Sequence, residues 1–385
     1  MNKYTPIVCS LTLILFVACG GDNSPTNSNP DTESTVTSGT LDLTISSTGS
    51  DIDEDGYVLS INDTSSQNVQ TDEKVTISDL SEGNHQVELS DLSKNCSVNG
   101  DNPVTISITA GQTTTNTLSV DCKDILENEI AFHSNRDGDY EIFVMNANGS
   151  NPRQLTNNSY SDKQPVISHD GMKIAFTSSR NGTHSIFVMN ADGSNIQKVT
   201  DYTPPRYDKP VTLSWSLDDR KLIYSGIYQI NIDGSDKETI QEGIDPHYSP
   251  NGEKIAMVDE PLLYTMNYDG TGLKQITTYN SKIDTVRFPR WSPDGDKFVV
   301  SHLEEGYYNI YTINTDGTGG THVFGRKYEE EKFPSWSPDG QYLIFETDRD
   351  NNKEIYRINS DGSGTVTNLT ANPAEDGGAF WSPVK

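Results

Sequence analysis

Basic residues, long apolar runs and cysteine are all scarce in this chain of 385 residues. Only 28 lysines and arginines stand against 56 acids, giving a formal charge of −28. With no basic patch to meet a phosphate backbone, nucleic acid is excluded as a partner, and anionic lipid headgroups would repel the folded parts. The longest apolar run, Pro6 to Val17, is too short to persist as a membrane-spanning helix. Cys9 and Cys19 lie in the N-terminal leader and Cys96 and Cys122 in the region 39–124, so nothing beyond that region can use a thiol. No His-Glu-x-x-His, Cys-x-x-Cys or Gly-x-Ser-x-Gly motif occurs, so neither a metallohydrolase nor a serine nucleophile is signalled.

What the chain has in quantity is a repeat. Phe288-Pro289-Arg290-Trp291-Ser292-Pro293-Asp294-Gly295, followed by the apolar run Phe298-Val299-Val300, returns in related form around Ser168, Ser216, Ser249, Ser337 and Ser382. Pro-Asp-Gly supplies a preset φ and then residues that tolerate φ > 0 between two apolar runs, which is a hairpin signature. A second turn follows each time, at Asn148-Gly149, Asp192-Gly193, Asp233-Gly234, Asp269-Gly270, Asp316-Gly317 and Asp361-Gly362. Each repeat therefore reads as four strands. The serines are 48, 33, 43, 45 and 45 residues apart, a period that implies propeller blades, because one four-stranded sheet cannot bury both faces alone. The first repeat begins at Glu129-Ile130-Ala131-Phe132 without a Trp-Ser strand before it, and the last Trp381-Ser382-Pro383 has nothing after it to pair with. Ring closure by the C-terminal strand answers both.

These segments, with Ile-Ala-Phe, Ser134-x-Arg136-Asp137-Gly138, Ile142-Phe143-Val144-Met145-Asn146 and Arg153-Gln154-Leu155-Thr156, resemble the TolB-like family of β-propeller repeats over residues 127–385. The resemblance implies an all-β, six-bladed propeller over 125–385, and implies partner binding on a face and cations held near the channel. Family members of the Tol system carry an N-terminal α/β domain, whereas here a β-rich module precedes the propeller.

Upstream, Lys3 and the apolar run form an export signal over 1–18. Phe16-Val17-Ala18-Cys19-Gly20 resembles the lipobox of bacterial lipoproteins, which implies lipidation at Cys19 and, since residue 20 is not Asp, an outer-membrane address. Residues 19–38 are Gly, Asn, Ser, Thr, Pro and Asp with almost nothing to bury and read as a disordered tether. Over 39–124, alternating apolar residues at Leu41, Leu43, Ile45, Val58, Ile61, Val87, Leu89, Ile106, Ile108, Leu118 and Val120 predict a small β-sandwich module. It resembles an immunoglobulin-like module, and Cys96 and Cys122, the even pair of a small exported domain, read as one disulfide.

Several constellations have a bland and a sharp reading. Asp51-x-Asp53-x-Asp55-Gly56 opens like a calcium loop, but its twelfth position is Asn62, so a solvated acidic turn is favoured. His133 and His302 stand near the ends of similar strands, with Thr177, Ser225, Val258 and Glu346 at the His133 position elsewhere; ordinary strand-end histidines are favoured over a metal site. Repeated Arg136, Arg180 and Arg349 argue for salt bridges between blades. Asp162, Asp208, Asp245, Asp284 and Glu331 each precede the proline that opens an inner strand, and Asp376 stands before Gly377-Gly378. These six could ring one mouth of the channel and hold calcium or a Lys/Arg-bearing peptide; the alternative is that each caps its own turn by an Asx hydrogen bond.

The reading that results is a monomeric, non-enzymatic, membrane-tethered scaffold outside the cytoplasm, without a required cofactor. Its propeller loops 157–163, 203–209, 279–287 and 326–332 would be presented to an envelope protein or glycan. The alternative is a polysaccharide-acting, lyase-like propeller with a histidine-held metal. The address has its own test: Cys19→Ala should release the protein from the membrane fraction or leave it unprocessed, and unchanged fractionation with unchanged mass would reject lipidation.

Overall fold

Between Glu129 and Trp381 the chain forms six four-stranded antiparallel sheets. The computed structural model describes residues 37–384 apart from 50, 54, 64, 183, 203–209, 280 and 281, together with the backbone alone at 65 and 181. Cys19 and Asp208 therefore lie outside the described residues. Blade 1 combines 129–154 with the C-terminal strand Asp376–Trp381; blades 2 to 6 occupy 162–201, 213–239, 244–275, 286–324 and 331–368.

The repeated serine explains why the Ser-Pro-Asp-Gly turn is spelled as it is. Ser292 donates from its hydroxyl to Asp294 Oδ1 (2.5 Å) and accepts the N–H of Lys297 (2.9 Å), tying both ends of the hairpin to one side chain. The same arrangement recurs at Ser168, Ser216, Ser249 and Ser337. The serine bond holds the Asp294 carboxyl below its usual range.

Blades are spaced by a second repeated device. The glycine of each outer turn, at φ between 80° and 90°, backs onto a carbonyl at the outer strand of the preceding blade. A Cβ at Gly193, Gly234 or Gly317 would lie 2.6, 2.7 or 2.2 Å from the oxygen of Leu155, Val199 or Ile276, and Gly149 meets Leu369 across the ring closure at 2.5 Å. Glycine is required here both for the left-handed φ and for the approach. Nearer the axis, the indole N–H of Trp215, Trp291 and Trp336 donates to the carbonyl of Val166, His247 and Arg290 in the blade before, at 3.0 to 3.3 Å.

Closure follows the expectation. Asp376–Trp381 pairs with Glu129–Ser134, Asp376 opposite Ser134 and Trp381 opposite Ile130. Trp381 also donates from its indole to Asn128 Oδ1 (2.9 Å).

The N-terminal module is a sandwich of two four-stranded sheets. Ser38–Thr48 alternates inside and outside along its length and lies parallel to Thr113–Cys122, burying Leu41, Leu43 and Ile45 against Leu59, Val87 and Leu89. Cys96 and Cys122 sit opposite each other in neighbouring strands and form a disulfide (S–S 2.01 Å). The loop it closes corresponds to about 3 to 4 kcal/mol in a chain-entropy estimate. In the acidic turn, Asp51 accepts the N–H of Ile125 and Asp53 that of Ser93, both at 2.7 Å, so these carboxylates fasten backbone.

The glycine contacts can be separated from glycine's conformational freedom. Gly295 also has positive φ (76°), but a Cβ there meets nothing within 4 Å. Gly295→Ala should cost about 1–2 kcal/mol of left-handed strain, whereas Gly317→Ala adds a clash with Ile276 and should melt several degrees lower still. Equal losses on thermal denaturation would show that blade spacing relaxes freely.

Candidate functional site

The inner strands do not start at their prolines. In five blades the strand slips register just before the proline position, at Lys163/Val166, Ile244/His247, Arg287/Arg290, Lys332/Ser335 and Gly377/Phe380. The inserted residue takes positive φ: Gln164, Asp245, Phe288, Phe333 and Gly378. A bulge releases a residue from the ladder, which is how a proline is accommodated directly after it in four of these inner strands, and it redirects neighbouring side chains. The prolines are therefore mid-strand, and most of the acids counted back from them belong to strands.

That shift breaks up the expected ring of six carboxylates. Asp162, Glu331 and Asp376 occupy one ladder position, opposite Ser178, Thr347 and Ser134. Asp245 is instead a bulge residue, and Asp284 is half-buried in a connection, where it accepts from Thr285 at the long distance of 3.5 Å. The buried acids are engaged inside the fold. Arg180 pairs with Asp162 (2.6 Å) and Arg136 with Asp376 (3.0 Å), each within one blade, where pairs between blades were expected. Asn158 and Asn372 donate to the same two carboxylates, so the bonds come from side chains and are not the self-capping Asx bonds of the alternative reading. Arg349 lies over the rings of Phe324 and Tyr356 at 5.6 and 5.1 Å. Glu331 is left with one bond, from Thr347 (3.3 Å), and its Oε2 is buried without a partner.

The residues that reach the channel mouth are cations and aromatics. Lys163, Arg287 and Lys332 share the ladder position just before the bulge and line a cavity of about 540 Å³. Lys353, Glu346 and His133 also line it, with serines, Thr177 and Gln164. Lys163 Nζ sits 3.6 Å from the Tyr140 ring centroid, and burial, helped by Lys353, lowers its pKa. Lys353 is raised by its pair with Glu346 (3.0 Å). Arg287 holds Asp245 and stacks over Phe288, whose ring lies 4.1 Å from Phe333. The mouth is thus a network of cations matched to carboxylates, with tyrosines around it. The signal was present in sequence as a basic residue two before proline, in Lys163-Gln164-Pro165, Arg287-Phe288-Pro289 and Lys332-Phe333-Pro334, and was overlooked beside the acids.

His133 faces this cavity, and burial holds its pKa well below the usual imidazole range. His302 pairs with Val286, one ladder position away from that of His133, and so faces the other side of its sheet, where it contacts Thr285 O (3.1 Å). The two histidines do not converge, and among the described residues no three His, Cys, Asp or Glu side chains form a metal-holding cluster.

Three exposed aromatic side chains stand on the connections that lead to this mouth. Tyr160 (43 %), Tyr279 (66 %) and Tyr328 (72 %) lie on the connections 157–163, 279–287 and 326–332 that feed the inner strands.

Six four-stranded sheets closed around an axial channel define a β-propeller. The chain belongs to the TolB β-propeller family: the model of the TolB beta propeller domain matches residues 126–243 and 226–384. Among solved structures, TolB from Acinetobacter baumannii superposes with a TM-score of 0.57 at 19% identity, over 67% of this chain and 68% of that one. Kuenenia stuttgartiensis hydrazine synthase gives 0.52 at 15% identity over 68% of this chain and 47% of its own. The nidogen/laminin complex gives 0.51 at 10% identity over 67% and 99%. At these identities the structures share a fold.

Burial, with Glu329 adding to it, pushes the Glu331 carboxyl up to about 8. A group that prefers its proton when folded supports the fold below its unfolded pKa and loses that support as pH rises toward the folded value. Between pH 5 and 8 the melting temperature should therefore fall for the wild type relative to Glu331→Gln. Parallel curves would mean that Glu331 is ionised throughout.

Proposed function

We propose that this protein is a non-enzymatic binding scaffold of the cell envelope, tethered to the outer membrane through lipidated Cys19, whose propeller engages an envelope protein or glycan at the tyrosine-rimmed mouth. The observation that carries this reading is the placement of Tyr160, Tyr279 and Tyr328 on three of the connections leading to one mouth, whose cavity is lined by half-buried Lys163 and Lys332 and buried Arg287. Large, stiff aromatic side chains and arginine are enriched at interface centres, because they bury much area at small entropic cost. Loops on a closed ring supply the rigid support that such a surface needs.

The lyase-like alternative lacks a donor set to build on among the described residues, since His133 and His302 point to different sides of their sheets. The six acids enter the scaffold reading indirectly: Asp162, Asp245 and Asp376 fix the arginines and the strand starts that shape the mouth.

Replacing Tyr160, Tyr279 and Tyr328 together with Ala removes only exposed side chains and should leave the melting temperature within a degree or two. Affinity capture from the envelope with wild type and variant, followed by polysaccharide analysis and protein identification, reads the outcome. A captured species lost with the variant supports the rim as the contact. Identical capture by both proteins would place the contact elsewhere.

A further inference from the structure

At the other end of the channel the inner strands finish in a cavity of about 300 Å³. Its wall holds Trp215, Trp291, Trp336 and Trp381, which are all the tryptophans in the chain. Pro250, Pro293, Pro338 and Pro383 from the repeated turns stand one turn further out. One residue nearer the bulge than the aromatic position, Ser214, His247, Arg290 and Ser335 line the inner end.

Arg290 is out of place on this apolar wall. It is only 8 % exposed, donates from Nη1 to the carbonyl of Pro289 (3.1 Å), and has no ion pair with a carboxylate among the described residues. Asp245, whose charge acts on it, is already held by Arg287 through Nε and Nη2. A buried guanidinium has five donors to satisfy and a charge to balance, and leaving both unmet is costly. Beside it, Nδ1 of His247 is buried without a hydrogen-bond partner. Burial, and then Arg290 itself, keep this imidazole neutral by holding its pKa well below the usual range. The hydroxyl oxygens of Ser214 and Ser335 accept the backbone N–H of Tyr248 (3.1 Å) and Trp381 (3.2 Å), which leaves their own hydrogens to turn into the cavity.

We propose that this cavity binds a small organic carboxylate with an apolar or aromatic body. The carboxylate pairs with Arg290 and takes hydrogen bonds from the serine hydroxyls and His247, and the body packs against indole and proline rings. One cation beside a neutral imidazole, inside a protein of formal charge −28, suits a monoanion and disfavours phosphate or sulfate. Outside the polar inner end the wall is mainly indole and proline rings with Phe380 and Ile167, beside His169 and Ser337, and this selects an apolar body. The carboxylate could belong to a free acid or to the C-terminus of a peptide, which share this chemistry. The site lies at the opposite mouth from the tyrosine rim and stands independently of the scaffold reading.

Because every tryptophan lines the cavity, tryptophan emission excited at the red edge, where the tyrosines do not absorb, reports on this site in the full-length protein. The probes are 3-phenylpropionate and N-acetyl-leucyl-phenylalanine, each compared with its amide, with sodium sulfate as the inorganic control. A saturable fluorescence change and a raised melting temperature with at least one acid are expected, with the matching amide at least tenfold weaker. Response to the dipeptide alone assigns a chain terminus, and response to 3-phenylpropionate assigns a free acid. Arg290→Met should weaken acid binding at least tenfold while melting at or above the wild-type temperature, since it removes a buried charge without a counter-ion. If that variant fails to fold, the acid-against-amide comparison on the wild type decides. Absence of saturable binding by both acids, equal binding of acid and amide, an equal effect of sulfate, or unchanged binding by Arg290→Met would each overturn the proposal.

Discussion

The ring exists because one strand from the end of the chain lies against one from near the start of the repeats. Asp376–Trp381 supplies the inner strand of a blade whose other three strands span 129–154, and Arg136 reaches across that junction to Asp376. The six glycine approaches form an unbroken circuit only if Gly149 of blade 1 meets Leu369 of blade 6, which it does at a distance matching the other five. The closing junction is therefore built from the same parts as the internal ones, including the ion pair, since Arg180 holds Asp162 in blade 2 as Arg136 holds Asp376 here.

Much of this could be read from the sequence. Ser-Pro-Asp-Gly names its own hairpin, since the serine, the aspartate and the glycine each make a bond or take a φ that other residues would not. The second turn, marked by Gly149, Gly193 and their equivalents, gave the strand count. Position along a strand was harder to read. Counting back from proline treats the chain as regular, but the bulge at Gln164, Phe288 and Phe333 inserts a residue at positive φ that no turn motif announces. The count placed Asp162, Asp245 and Asp284 in one ring, whereas Asp162 is a ladder residue, Asp245 a bulge residue and Asp284 lies in a connection ahead of its strand. The same slip concealed Lys163, Arg287 and Lys332, which align only once the strands are paired. Repetition of Arg136 and Arg180 correctly suggested ion pairs, while whether the partner lies in the same blade depends on strand order, which spacing does not encode.

Charge is distributed unequally between the two ends of the channel. At the rimmed mouth, cations and carboxylates alternate and largely satisfy one another, as in Arg287 with Asp245 and Lys353 with Glu346. At the far end the wall is mainly tryptophan and proline, and Arg290 has no carboxylate partner among the described residues. The bulge divides the two regimes: residues before it, such as Lys163 and Lys332, face the polar end, and residues after it face the indoles. A single irregularity repeated in five strands thus gives one channel two chemically distinct openings.

The closing strand also sets a timetable. Ser134 and its ladder partner Asp376 are separated by more than half the chain, so a very long loop must close before the first blade gains its inner strand, and such non-local pairing is slow. Until then Glu129–Ser134 has no inner neighbour, and its edge N–H and C=O groups are open to pairing with any passing strand. Premature pairing between nascent copies, exchanging one C-terminal strand for another, is the error to which this architecture is most prone, and the acidity of the chain is a long-range repulsion that opposes it.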